Sequence, residues 1–136
     1  RMERICSNAR KLAEFFNSEY SDITVNYPGL ENSKWHDIAK EQFGENAGGI
    51  ITIRTGSKEK AFGIINALKL PLIVSNIGDT KTLVIHPEST LNVHSTEEEK
   101  KTAGVFDDLI RISVGIEDIE DLIEDFRQAI NSVENM

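Results

Sequence analysis

The chain has a single cysteine, Cys6, so no internal disulfide can form. That thiol reads as a small buried residue, and a reducing, cytoplasmic setting is the expectation it supports. No apolar run approaches the ~20 residues needed to cross a bilayer. The start, Arg1-Met2-Glu3-Arg4, lacks the apolar core of a signal peptide. Positive charge is in deficit: 15 Lys and Arg stand against 23 Asp and Glu, a formal net charge of −8. Nucleic acid and anionic membrane are therefore not expected partners, because both need clustered cations. There is no GxxxxGK[ST] loop, no HExxH and no CxxC. His36, His86 and His94 are not spaced as a metal set, so no metal is expected. Nothing suggests a complete catalytic apparatus within this chain alone.

What is present is an ordinary globular composition at a length, 136 residues, that suits one domain with a core. Residues 1–19 carry Ile5, Ala9, Leu12, Ala13, Phe15 and Phe16 near a 3.6-residue period, which predicts a helix. It begins with no capping residue ahead of it, as a chain cut from something longer would. An extended piece over 23–27 ends at the turn Pro28-Gly29. Ser33 is placed to cap a helix over 34–43, with Gly44 as its stop. Strands are predicted over 50–53, 70–75, 82–85 and 109–114. Ser57 suits the cap of a helix over 58–68 with Ala61, Phe62, Ile64, Ile65 and Leu68 buried. Thr96 and Glu99 form a capping-box pattern, and 116–133 reads as a closing helix. The expected fold is α+β: a small, mainly antiparallel sheet of three to four strands covered by helices on one face.

One residue stands out. Arg111 interrupts the run Leu109-Ile110-Arg111-Ile112-Ser113-Val114. Alternation puts Arg111 and Ser113 on one face of that strand and Ile110, Ile112 and Val114 on the other. A guanidinium cannot shed its charge, and a poorly solvated one needs an anion. Either an internal carboxylate such as Glu117 or Asp118 meets it, or it is held for an anionic ligand. Its planar fork matches a carboxylate, so a small amino acid is the first candidate.

Four segments occur in order: Val25-Asn26-Tyr27-Pro28-Gly29-Leu30, then Gly48-Gly49, then Asn76-Ile77-Gly78-Asp79 running to His86-Pro87-Glu88-Ser89-Thr90, then Ile110-Arg111-Ile112-Ser113-Val114-Gly115-Ile116-Glu117-Asp118. Together they resemble the C-terminal domain of the Cys/Met-metabolism pyridoxal-phosphate enzymes, over essentially the whole chain. That family includes cystathionine synthases and lyases, methionine gamma-lyase and O-acetylhomoserine sulfhydrylase. The stretch 75–90 is most similar to the sulfhydrylase branch. The resemblance implies that residues 1–136 are the small C-terminal domain of a fold-type I enzyme, missing its N-terminal cofactor-binding domain. It implies pyridoxal 5'-phosphate bound mainly by that absent domain, an amino-acid substrate, and a homotetramer in the intact enzyme. The implied reaction is γ-replacement of acetate by sulfide or a thiol in methionine biosynthesis.

By the same resemblance, Arg111 matches the arginine that clamps the substrate α-carboxylate. Ser75, Asn76 and Thr90 match positions near the substrate and the active-site entrance. None of the lysines sits in a setting like the family's cofactor lysine, so no catalytic and no cofactor-binding residue is expected here, and the isolated chain is expected to be inactive. The chain departs from the pattern at Leu91 and Asn92, where threonine and histidine are usual, and at Arg54-Thr55-Gly56-Ser57, which lacks a Gly-Gly. Trp35 is expected to pack on the sheet, His36 and His94 to lie on the surface, and His86 to serve a turn. The alternatives are a methionine or cystathionine gamma-lyase or synthase domain and, in another class, a non-catalytic amino-acid-binding regulatory domain.

Overall fold

Strand pairing follows the apolar alternation. The structure, a computed structural model, describes residues 1–134, so the last two residues of the expected 1–136 domain lie outside the described residues. Its sheet has five strands, one or two more than expected: β1 (Thr24–Asn26), β2 (Ile50–Arg54), β3 (Leu72–Ile73), β4 (Leu83–Ile85) and β5 (Leu109–Ser113). Their order is β1-β2-β5-β4-β3. All neighbours are antiparallel except β3 and β4, which run parallel. The two edge strands are short: β1 falls in the extended piece expected over 23–27, and β3 in the strand expected over 70–75. β3 covers only two of the residues expected over 70–75, because it pairs solely through Leu72 with Leu83 and Ile73 with Val84.

The helices are α1 (Met2–Glu19), α2 (His36–Phe43), α3 (Lys58–Ala67), α4 (Glu97–Thr102) and α5 (Ile119–Ser132). Stripes on α1, α3 and α5 cover one face of the sheet. There Ile51, Ile53, Val84, Ile110 and Ile112 lie under Leu12, Phe16, Ile64, Leu122 and Phe126, all essentially sealed from water. The Phe16 and Phe126 rings meet edge-on at 5.3 Å. Cys6 is buried, as expected.

Local chemistry sets the helix starts. The Ser57 hydroxyl accepts from the Lys60 amide, and both hydrogen bonds of the Thr96–Glu99 capping box are formed. α5 starts three residues later than the expected 116, because Asp118 caps the amides of Glu120 and Asp121. Ser33 instead accepts from the Trp35 amide, so α2 begins at His36. Trp35 is 50% exposed beneath the Lys34 ammonium, not packed on the sheet. Phe62 is also partly exposed and stacks on the buried His86 ring. His36 is half-buried with an enclosed, unpartnered Nδ1, whereas His94 is exposed as expected.

Candidate functional site

β5 is the central strand, bonded on both sides, with Arg111 opposite Thr52 of β2 and Ile85 of β4. Ile110 and Ile112 point into the core, so alternation sends Arg111 to the face the helices leave open. Over that face passes the loop 74–81 that joins β3 to β4. Loop and strand enclose an open cleft of about 670 Å³ whose lining includes Arg1, Ser75, Asn76, Asp79, Thr80 and Arg111.

Arg111 is half-buried in this cleft. Its Nη2 donates to the backbone carbonyl of Ser75 at 2.8 Å. Its Nε is enclosed and has no partner. Among the described residues no carboxylate lies within ion-pair distance of it, and the internal candidates Glu117 and Asp118 are engaged elsewhere. Glu117 accepts from the amide and hydroxyl of Thr82, each at 2.8 Å, and Asp118 caps α5. A second guanidinium, Arg1, lines the cleft and donates to the Gly78 carbonyl at 2.9 Å. The one acid in the lining, Asp79, accepts from the Lys81 amide, which holds its carboxyl below the ordinary 3.8. Two guanidiniums against one carboxylate make a locally positive spot on an acidic chain, which draws small anions inward.

The structure thus brings Arg111, Ser75 and Asn76 together. Ser75 contributes its carbonyl, and Asn76 is exposed at the cleft. Thr90 is not in the lining; its hydroxyl donates to the His86 carbonyl at 2.7 Å, closing the short turn Pro87–Ser89. His86 serves that turn as expected, with Nδ1 against Ser89 and Nε2 against the Asp107 carbonyl. Sequence reasoning missed Arg1 and the role of Ser113, whose buried hydroxyl accepts from the Gly78 amide at 3.0 Å. The only signal for Ser113 was its place two residues along from Arg111.

Residues 1–131 match the family of Cys/Met metabolism PLP-dependent enzymes. The chain belongs to that family. It is 41% identical over 134 residues to an L-methionine gamma-lyase of Fusobacterium nucleatum, covering 98% of this chain and 34% of that protein. It is 42% identical over 127 residues to an O-acetyl-L-homoserine sulfhydrylase of Corynebacterium glutamicum, covering 92% and 29%. Among solved structures it is similar to a Campylobacter jejuni protein described as an O-acetylhomoserine (thiol)-lyase that carries a pyridoxyl-lysine monophosphate. The TM-score there is 0.91 at 41% identity, over 96% of this chain and 31% of that one. The chain therefore spans about a third of the length of the relatives it matches.

The family depends on pyridoxal phosphate, yet no lysine is among the residues lining the cleft. The cleft's donors do not fit the aldehyde end of that cofactor. They fit a carboxylate: a fork with an unpartnered Nε, and an exposed amide beside it. No cluster of His, Cys, Asp or Glu among the described residues could hold a metal, and no described helix is long and apolar enough to cross a membrane.

Proposed function

We propose that this chain is the small C-terminal domain of a pyridoxal-phosphate-dependent O-acetylhomoserine sulfhydrylase and that it binds the substrate's α-carboxylate. The rest of the enzyme, about two thirds of the relatives' length, would hold the cofactor. The observation that carries the assignment is the Arg111 guanidinium: half-buried, with no acid in ion-pair reach among the described residues, and with its Nε unpartnered beside an open cleft. Pyridoxal phosphate, when bound, supplies an electron sink for chemistry at the substrate's Cα.

This chain's part is placement. Arg111 takes the two carboxylate oxygens, and the Ser75 carbonyl fixes the plane of the guanidinium by engaging Nη2. The Asn76 amide, which lines the same cleft, donates a further hydrogen bond to the carboxylate in this proposal. Gripping the carboxylate fixes rotation about the Cα bond and so presents one Cα substituent for reaction, which lowers the entropic part of the barrier. Thr90 lies outside the cleft lining and its hydroxyl donates to the His86 carbonyl, so the proposed clamp does not use it.

The experiment is Arg111→Ala in the full-length enzyme. KM for O-acetylhomoserine is expected to rise roughly a hundredfold or more, since removing such a charged clamp costs about 3–5 kcal/mol. A near-normal KM would sink the assignment. Methionine gamma-lysis is the second reading, favoured by the Fusobacterium relative at 41% identity. Turnover of methionine that exceeds turnover of O-acetylhomoserine plus sulfide would select it.

A further inference from the structure

Among the described residues Arg111 has one polar partner, the Ser75 carbonyl, and that carbonyl belongs to a loop rather than to a paired strand. The geometry of the clamp therefore depends on whatever fixes the loop 74–81. We infer that Ser113 is a positioning residue for the Arg111 clamp: its hydroxyl ties the loop to the strand that carries the arginine. This rests on the proposed carboxylate clamp and extends it.

Four observations carry it. Ser113 is 2% exposed, and its Oγ accepts from the Gly78 amide at 3.0 Å, at the tip of the loop. Gly78 has φ +75°, a left-handed turn that aims its amide inward. Ser113 lies two residues from Arg111 on the same face of the same strand, so one rigid element sets both ends of the loop's wall. The returning end of the loop is fixed separately: the Ile116 amide donates to the Thr80 carbonyl at 2.8 Å, and Glu117 holds Thr82. With the return held there, the middle of the loop is held at Gly78 by two side chains, Arg1 on its carbonyl and Ser113 on its amide, and only the Ser113 tie comes from the strand that carries Arg111, so it sets how Ser75 stands over the guanidinium. Losing it frees the carbonyl that orients the fork without touching the guanidinium itself.

The test uses the full-length enzyme and two competitive ligands, 2-aminobutyrate and 1-aminopropane, which differ by the carboxylate. In Ser113→Ala the inhibition constant of 2-aminobutyrate is expected to rise roughly five- to tenfold, while that of 1-aminopropane stays within about twofold. Ser113→Thr, which keeps the acceptor oxygen, should restore the wild-type ratio. Where the alanine variant fails to fold, Ser113→Cys replaces it, because it keeps the bulk and is a weak acceptor. Equal weakening of both ligands, or no change in the ratio, overturns the inference. Arg111→Ala separates the two levels. If it collapses the ratio while Ser113→Ala leaves it intact, the clamp stands and the positioning role falls. If Arg111→Ala leaves the ratio intact, the clamp itself is wrong.

Discussion

Lys100 and Arg111 are both partly withdrawn from water, and they are treated differently. Lys100 of α4 is 11% exposed at its side chain and meets two acids, Glu88 at 2.9 Å and Glu97 at 3.5 Å. Glu88 also meets Lys58 at 3.4 Å, so charge is closed within the chain. Arg111 is half-buried and, among the described residues, meets only a carbonyl. The Lys100 cluster pins the segment between β4 and β5 to α3 and asks for nothing further. The Arg111 site has donor capacity left over. In a chain with eight more acids than bases, the central guanidinium has none of them within ion-pair distance among the described residues.

The sharpest way to break this contrast is to remove the cleft cation, then polar groups closed within the chain, and ask whether stability or ligand handling responds. Arg111→Ala should cost the enzyme roughly a hundredfold or more in kcat/KM while its Tm holds or rises. It removes a poorly solvated charge and leaves no acid unpaired. A large fall in Tm, read by calorimetry, would make the residue structural. Asp125→Ala should show the reverse. That buried carboxylate accepts from the Lys69 amide at 2.9 Å, the Leu70 amide at 2.8 Å and Gln128 at 3.0 Å. Its loss leaves two backbone donors unmet, worth about 2–4 kcal/mol in denaturant unfolding, with the inhibition-constant ratio unchanged. Altered carboxylate discrimination would show that α5 and the cleft are coupled.

The smallest effect belongs to Glu88→Gln, expected to lower Tm by a few degrees at neutral pH. The hydrogen bond from Lys100 holds the Glu88 carboxyl below its ordinary 4.5, with a smaller share from Lys58. A depressed carboxyl contributes stability above its unfolded value and loses it as pH falls through the folded one. The Tm gap between wild type and variant should therefore be steady near neutrality and shrink below about pH 4.5. Lys100 is raised above 10.5 by the same Glu88 bond, so the gap should also close in strong alkali. A gap that ignores pH would mean the cluster acts by packing alone.

Legibility in the sequence followed the range of the interactions. The periodic stripe of α1, the Ala61, Ile64 and Ile65 part of the stripe of α3, and the caps Ser57 and Thr96 are local patterns, and the structure forms them, whereas Phe62 turns outward and Leu68 falls past the end of α3. The alternation that put Arg111 outward from the core is local too. β3 was overestimated because an apolar run suggested burial, whereas Leu72 and Ile73 are exposed on an edge. Trp35 misled for the same reason: its size predicts packing, but α2 turns it outward. The polar residues that tie the loops down have partners far along the chain. Asn8 reaches the carbonyls of Gly115 and Glu117, and Ser113 reaches Gly78. Asp125 could have been suspected, because it falls in phase with Leu122 and Ala129 on the buried stripe of α5.

The placement of Arg111 on a strand paired along both edges has one more effect. Mis-threading β5 by a single step would drive the guanidinium among the isoleucines that face the helices, at a cost of several kcal/mol or more. The same residue that would grip a metabolite thus proofreads assembly of the sheet.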